Sequence, residues 1–543
     1  MIKLKMLKFF SKIKITNKLK SYFKNKFKNT NNELFRSEIL LEFNAFQSYH
    51  VPVAYFANFL KKKYKSNIVG FFNYKILSSP FEESLYNKIK WIIGDKFNLK
   101  NFSIFRSFGV KKIIKPSLNK EEYKISYQIF INLKKTLSSK RDVLNISIND
   151  IRVGDLIYDT YIKSKIKPTI FFDDDFYFLL HDFCKLFVYW KKYFENNDIK
   201  AVIGVHTAYS YGIPLRIALK KKIPTYCVSF RKINKLSENM RFLAGEFVNY
   251  KKNFLKLDIN LKRKGIEKAK KRLEDRINGV AGVKADIISS QISSFGKKYL
   301  NREINENNKI KVVIFPHDFF DAVHAYGDTL FEDFYEWLEY LGKISKKTDY
   351  DWYIKNRPNY LGKFQIYQPN TENIINKFVS NYPQIKKLPN NYPHNQIISE
   401  GISCVLTAFG SVAMEYALFN IPVINASKNN PHCNYNFNFH PKNLKEYEKL
   451  ILDIKNIKLK IEKTEIYEYY FMRHIYNSKN WLIDDLEDFM KFVGSWTHMN
   501  SYKFYEYWIK NISEDREKKL NVTIENFINS NDDATNISHT LEK

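Results

Sequence analysis

Residues 402–424 read ISCVLTAFGSVAMEYALFNIPVI, and three local patterns follow one another within them. Ile402–Leu406 is a short apolar run ending at a turn, the signature of a buried strand. Thr407, Gly410 and Ser411 supply turn chemistry, and Ser411–Phe419 then spaces its apolar residues helically. Pro422–Asn425 returns to a strand. Strand, turn, helix and strand in that order make a parallel crossover unit, so the stretch predicts an α/β fold with helices covering a parallel sheet.

Working outward, the same grammar recurs. Upstream, Lys311–Phe315 reads as a strand, Asp328–Ser345 as an amphipathic helix and Trp352–Lys355 as a strand. In the first half of the chain, Ile199–Val205 is an apolar strand, His206–Tyr211 a polar loop, Ile213–Lys221 a helix and Ile223–Ser229 a strand. Before these lie an expected helix over 44–64, a strand at Asn67–Phe72, the segment GDLIYDTYI (154–162) and an aromatic helix near 176–196. Residues 251–308 are charged and helical, and their polar end NREINENN (301–308) reads as the boundary between two lobes. From Pro441 the chain is helical and aromatic, fading after Ile528 into a polar tail. The expected architecture is two Rossmann-like lobes facing a cleft, with a basic N-terminal arm and a helical C-terminal tail. The expected divisions are 1–40 for the arm, 41–300 for the first lobe, 309–440 for the second and 441–543 for the C-terminal segment.

Composition bounds what such a chain does. The 543 residues hold 89 Lys and Arg against 57 Asp and Glu, a formal charge of +32. With 44% hydrophobic and 16% aromatic residues the chain has ample material for cores. Only fourteen of the basic residues are Arg, whereas sequence-reading nucleic-acid proteins lean on the Arg fork, so nucleic acid is not the expected partner. The abundance of Lys, Asn, Ile, Phe and Tyr also follows AT-rich codons. The charge is densest in residues 1–28, which carry ten Lys and no acid, interleaved with Leu7, Phe9, Phe10, Ile13, Leu19, Phe23 and Phe27. Such an arm suits the surface of an anionic membrane, and the expected location is cytoplasmic, on the inner face of the membrane. Cys184, Cys227, Cys404 and Cys433 are far apart, without the spacing of a metal site, and fit a reducing compartment. No GxGxxG, Walker or HExxH motif is present.

The turn at 407–411 is the leading candidate site. Glycine permits close approach to a ligand, and Gly410, Ser411 and Thr407 before a helix favour an anion. Glu415 lies one turn on from Ser411, on the same face, where a carboxylate could bind sugar hydroxyls. The block TAFGSVAMEYALFNIPVI resembles the donor-binding strand–turn–helix–strand of GT-B glycosyltransferases, and among them bacterial capsule and surface-polysaccharide synthesis proteins. Those enzymes carry a K-x-H-P motif in the preceding strand and loop. Here Lys355 and Pro358 match, and Arg357 stands at the histidine position. Arginine clamps phosphate but relays no proton near neutral pH. The resemblance covers about residues 310–425 and, more weakly, 199–230. It implies transfer from a nucleotide sugar, held by Lys355, Arg357, Thr407, Gly410, Ser411 and Glu415, with no cofactor and no metal.

Catalytic groups are expected at strand exits. His317 follows the strand Lys311–Phe315, and His324 and Asp321 lie in the same loop. A base to deprotonate the acceptor is expected from the first lobe, where His206, His50, Asp155 and Asp159 are the candidates. The acidic run Asp173–Asp175 reads as a helix cap rather than as a metal motif. The expected partners are a nucleotide-sugar donor, a glycan or lipid-linked glycan acceptor and, through residues 1–28, an anionic membrane surface. A polyol-phosphate transferase similar to the CDP-glycerol glycerophosphotransferases and a non-catalytic assembly scaffold remain the alternatives.

Overall fold

A computed structural model describes residues 2–28, 35–72, 85–97, 99, 101–242, 245–280, 293–296, 298–357, 368–477, 481–494 and 499–540. The chain divides into two compact units. The first comprises residues 1–164, 171–243 and 477–543, and the second 165–170 and 244–476.

In the first unit, β1 (Glu38–Phe43), β2 (Asn67–Phe72), β3 (Val110–Ile114), β6 (Ile199–Gly204), β7 (Thr225–Val228) and β8 (Ile233–Lys235) form one sheet in the order β3-β2-β1-β6-β7-β8. All neighbours are parallel except β7 and β8. A separate two-stranded hairpin joins β4 (Ser147–Ile148) to β5 (Ile151–Arg152). β1 is buried along its whole length, as a central parallel strand covered on both faces requires. The helix Asp174–Asn196 starts at Asp173, whose carboxylate accepts the Phe176 N–H at 2.9 Å, so the acidic run is a cap.

Two chain ends complete this unit. The N-terminal helix Ile2–Lys26 buries Leu19 and Phe23, and Phe27 just beyond it, while Tyr22 bonds Tyr55 and Glu517. The distal half of the basic arm is therefore a packed structural helix. The tail beyond Ile528 is also built in: Lys235 N–H donates to Asp533 O at 2.8 Å and Thr535 N–H to Ile233 O at 2.9 Å. Residues 533–535 thus cover the open edge of β8, satisfying groups that an edge strand leaves unpaired. The polar tail expected from composition is thus built into the sheet edge by backbone pairing.

In the second unit, β9 (Lys311–Ile314), β10 (Asp351–Ile354), β11 (Ile385–Lys387), β12 (Cys404–Thr407) and β13 (Val423–Asn425) form an all-parallel sheet in the order β11-β10-β9-β12-β13. The register sets Val313 between Tyr353 and Val405, all buried. The division between units falls near residue 244, ahead of the expected boundary after 300. The helix Ile259–Ile277 lies with the second unit because its small buried face, Gly265 and Ala269 with Leu273, packs there: a methyl on Gly265 would stand 2.5 Å from the Phe471 ring. Likewise the C-terminal segment is split: residues up to 476 belong to the second unit and the remainder to the first.

Candidate functional site

In the second unit, β9 and β12 are neighbours in the sheet but not in the chain. The connections run in opposite directions from this point, and at such a switch point open α/β sheets bind ligands outside the carboxyl ends of the strands. His317 and Thr407 meet there, with Nε2 and Oγ1 3.2 Å apart, and the Phe409 N–H donates to the same ring nitrogen at 3.3 Å. Nε2 is therefore an acceptor and the neutral ring carries its proton on Nδ1. Burial, then the Arg357 charge, pushes the His317 pKa down to about 3. Thr407 is fully buried and accepts the Gly410 N–H at 3.2 Å. A methyl on Gly410 would lie 2.9 Å from that hydroxyl, so the glycine serves the packing of the turn itself. His317, Thr407 and Gly410 shape the switch point and are occupied in doing so.

The charged groups converge beside this turn. Ser411 has helical backbone angles and makes no side-chain cap, and the helix it precedes, Val412–Ala417, has only six residues. Its hydroxyl lies 3.3 Å from Nη2 of Arg276, in the last turn of the helix Ile259–Ile277. Glu415, expected to present its carboxylate to a sugar, is buried and held by Arg276 through Nε at 2.8 Å and through Nη2. Lys355, at the exit of β10, is also buried; its Nζ lies 3.4 Å from Asn356 O and 3.5 Å from His394 Nε2. Among the described residues no carboxylate forms a salt bridge with it. Burial pushes its pKa down to about 8, against the attraction of Glu415.

His394 lies between the lysine and the glutamate. Its Nδ1 is 3.7 Å from Glu415 Oε2, beyond hydrogen-bond reach, and has no hydrogen-bond partner among the described residues. Burial, reinforced by Lys355 and Arg276, holds it well below the usual histidine range, so the ring is neutral at pH 7. Two cations thus surround one carboxylate in a water-poor setting. Such an arrangement attracts an anion, because each buried charge lacks the water that would otherwise solvate it. Arg357 lies nearer solvent, its guanidinium paired with Asp318 at 2.8 Å. The matching Pro358 lies outside the described residues.

In the first unit the sequence candidates are mostly committed to structure. Asp155 accepts from both Nη atoms of Arg216, one at 2.6 Å, and both side chains are buried. His50 is fully buried between the Tyr505 hydroxyl, 2.5 Å from Nδ1, and the Asn44 carbonyl, 2.8 Å from Nε2. Burial lowers its pKa to about 4. His206 is half-buried and stacks on Tyr209; the Ala208 N–H donates to its Nδ1 at 3.1 Å, which places the neutral ring's proton on Nε2. The acceptor nitrogens of His50 and His206 are thus engaged within the fold, and both Asp155 oxygens accept from Arg216. Of the remaining candidates, Asp159 is buried, Asp321 is exposed and His324 bonds the Glu332 carbonyl at 3.1 Å. Among the described residues no group of three His, Cys, Asp or Glu is placed to hold a metal ion.

Two residues of the charged cluster escape sequence reading. Arg276 ends a basic helix whose lysines and arginines look like a solvated face, and 139 residues separate it from Glu415. His394 begins a six-residue helix after Pro393, with no periodic pattern to single it out.

No family model matches the chain, and no curated protein matches it. Among solved structures, the chain is similar to KpsC, a β-Kdo 2,4 transferase of Thermosulfurimonas dismutans, at 11% identity and a TM-score of 0.30, over 50% of this chain and 79% of that one. It is similar to a UDP-GlcNAc 2-epimerase of Neisseria meningitidis bound to UDP-GlcNAc at 10% identity and a TM-score of 0.21, over 80% and 97% of the two chains. A third is a ugt transferase of Siraitia grosvenorii in complex with UDP, at 10% identity and a TM-score of 0.20, over 80% and 89%. Likeness of this degree carries no functional argument, which rests on the chain's own residues.

Proposed function

We propose that the second unit binds a nucleotide-sugar donor and that the protein transfers the sugar to a growing capsule or surface polysaccharide, or to a lipid-linked glycan. The observation that carries this reading is Lys355, a buried ammonium at a strand exit beside His394, set without a carboxylate salt bridge among the described residues. A donor phosphate supplies the missing negative charge. Arg276, steered by Glu415, and the Ser411 hydroxyl hold its oxygens at the rim, with Arg357 further out. Positive groups fixed in place before reaction stabilise the charge that develops on the departing phosphate. Glu415 acts on the arginine rather than on the sugar. The resemblance of residues 402–424 to the donor motif of GT-B enzymes supports the same reading.

A thermal-shift series on the full chain with CMP, UDP, GDP and their sugar conjugates tests it. One nucleotide at a hundred times its Kd should stabilise the protein by about 2.7 kcal/mol. Silence to every nucleotide would remove the reading. The internal engagement of His50, Asp155 and Glu415 favours one alternative, a non-catalytic partner in a polysaccharide assembly. If nucleotide binds but Lys355→Met leaves glycan production in cells intact, that alternative stands.

A further inference from the structure

The helix Leu85–Lys96 in the first unit carries an apolar stripe that points away from the protein. Tyr86, Ile89, Ile93 and Phe97 follow one another at spacings of three and four, with Ile92 beside them, and all are exposed, Tyr86 to 71% and Phe97 to 63%. The opposite face anchors the helix. Gly94 is buried so closely against Phe102 that a methyl there would stand 2.9 Å from the ring, and Asp95 pairs with Arg106 at 2.7 Å. The stripe is therefore outward by construction.

Lysines flank it. Lys90 Nζ lies 5.5 Å above the Tyr86 ring and Lys96 Nζ 6.0 Å above Phe97, so each ammonium sits at the border of the apolar surface with its stem along it. The sequence 85–100 contains four Lys against Asp95, which is already paired. The N-terminal helix packs on the same short helix, Asn101–Ser107, that anchors this one. It too exposes apolar residues, Phe10 and Ile13, amid Lys12, Lys14 and Lys18. Cores of protein–protein interfaces are depleted of lysine, whereas an anionic headgroup layer takes scattered, flexible cations around an inserted apolar stripe.

We propose that the face Tyr86–Phe97 docks the protein on an anionic lipid bilayer, lying in the plane of the interface. Among the described residues no helix is long and apolar enough to cross a membrane. This contact is peripheral, and it moves the main apolar anchor from the arm expected in residues 1–28 to the helix Leu85–Lys96. It is independent of the donor reading.

Cosedimentation of the full chain with vesicles of phosphatidylcholine, with and without about 30% phosphatidylglycerol, tests it. The protein should pellet with the anionic vesicles, less at high salt, and stay in solution with phosphatidylcholine alone. Ile89→Glu with Ile93→Glu should weaken binding about tenfold or more while leaving the thermal midpoint unchanged. Lys90→Gln with Lys96→Gln, which leaves the apolar stripe in place, should weaken it less and reduce the salt dependence. Failure of the native chain to pellet, or pelleting of the glutamate variant at native level, overturns the proposal. So does a native dimer, seen by light scattering, that the glutamate variant abolishes without any vesicle binding: the face would then join two copies.

Discussion

Lys355 is held in a state that folding alone would not favour. Its ammonium is buried beside a neutral histidine, and its pKa falls to about 8 from 10.5. Between those values the unfolded chain binds a proton that the folded protein has released, so this group makes stability rise with pH across that window. Below pH 8 the lysine is charged in both states and its burial is a fixed penalty. Lys355→Met should therefore raise stability at pH 7 by about 1–3 kcal/mol, by urea denaturation, with a smaller gain at pH 9.5. The same variant should lose the nucleotide-induced shift. Asp155 behaves oppositely. Asp155→Ala leaves the Arg216 guanidinium buried beside an apolar side chain and should cost about 3–5 kcal/mol in the first unit. A catalytic Asp155 would instead lose activity at unchanged stability, so denaturation and assay together separate the roles.

At the scale of elements, the helix Ile259–Ile277 connects packing to the site. Its Gly265 lets it approach the π-helical turn Phe471–Tyr476, and Arg276, eleven residues on, reaches Glu415 from its last turn. Gly265→Ala forces a methyl into the Phe471 ring and should destabilise the second unit by about 1–3 kcal/mol. Because the helix shifts as a body, Arg276 moves off Glu415 too. Nucleotide affinity should fall at temperatures where the unit is still folded, a result that titration calorimetry reads directly. A residue far from the site thereby controls it through the rigidity of one helix.

The whole molecule is sensitive to acid through its buried histidines. His50 and His440 fall to about 4 and His317 to about 3, each mainly through burial, and His394 and His432 lie well below the ordinary value. From pH 6.5 down to their folded values the unfolded chain takes up protons that the native one refuses. Stability therefore falls as pH falls, by up to about 1.4 kcal/mol per pH unit for each histidine once well below 6.5. Four of these five belong to the second unit and His50 to the first, where burial also lowers the pKa of the half-buried His181. Between pH 7.5 and pH 5 calorimetry should accordingly show the transition of the second unit falling further than that of the first. Equal acid sensitivity of the two transitions would contradict this account.

The α/β class and the crossover at 402–424 are legible in the sequence because a parallel strand buried on both faces must be a continuous apolar run, and its helix must show a 3.6-residue period. Lys355 is singled out by the resemblance to the K-x-H-P motif of GT-B enzymes, at the end of an expected strand. The rest depended on distance along the chain. Whether Glu415 faces a ligand or an arginine turns on a helix 139 residues away, and whether Asp155 is a base or half of a buried pair turns on Arg216. The packing of Leu19 and Phe23, in an arm expected at a membrane surface, and the pairing of residues 533–535, in a polar tail, with β8 likewise joined segments far apart in the chain. Local pattern determined which elements form, since period and turn chemistry act within a few residues. Tertiary structure alone decided which polar groups are satisfied internally and which are left for a ligand, because a buried charge takes its meaning from neighbours that only folding brings to it.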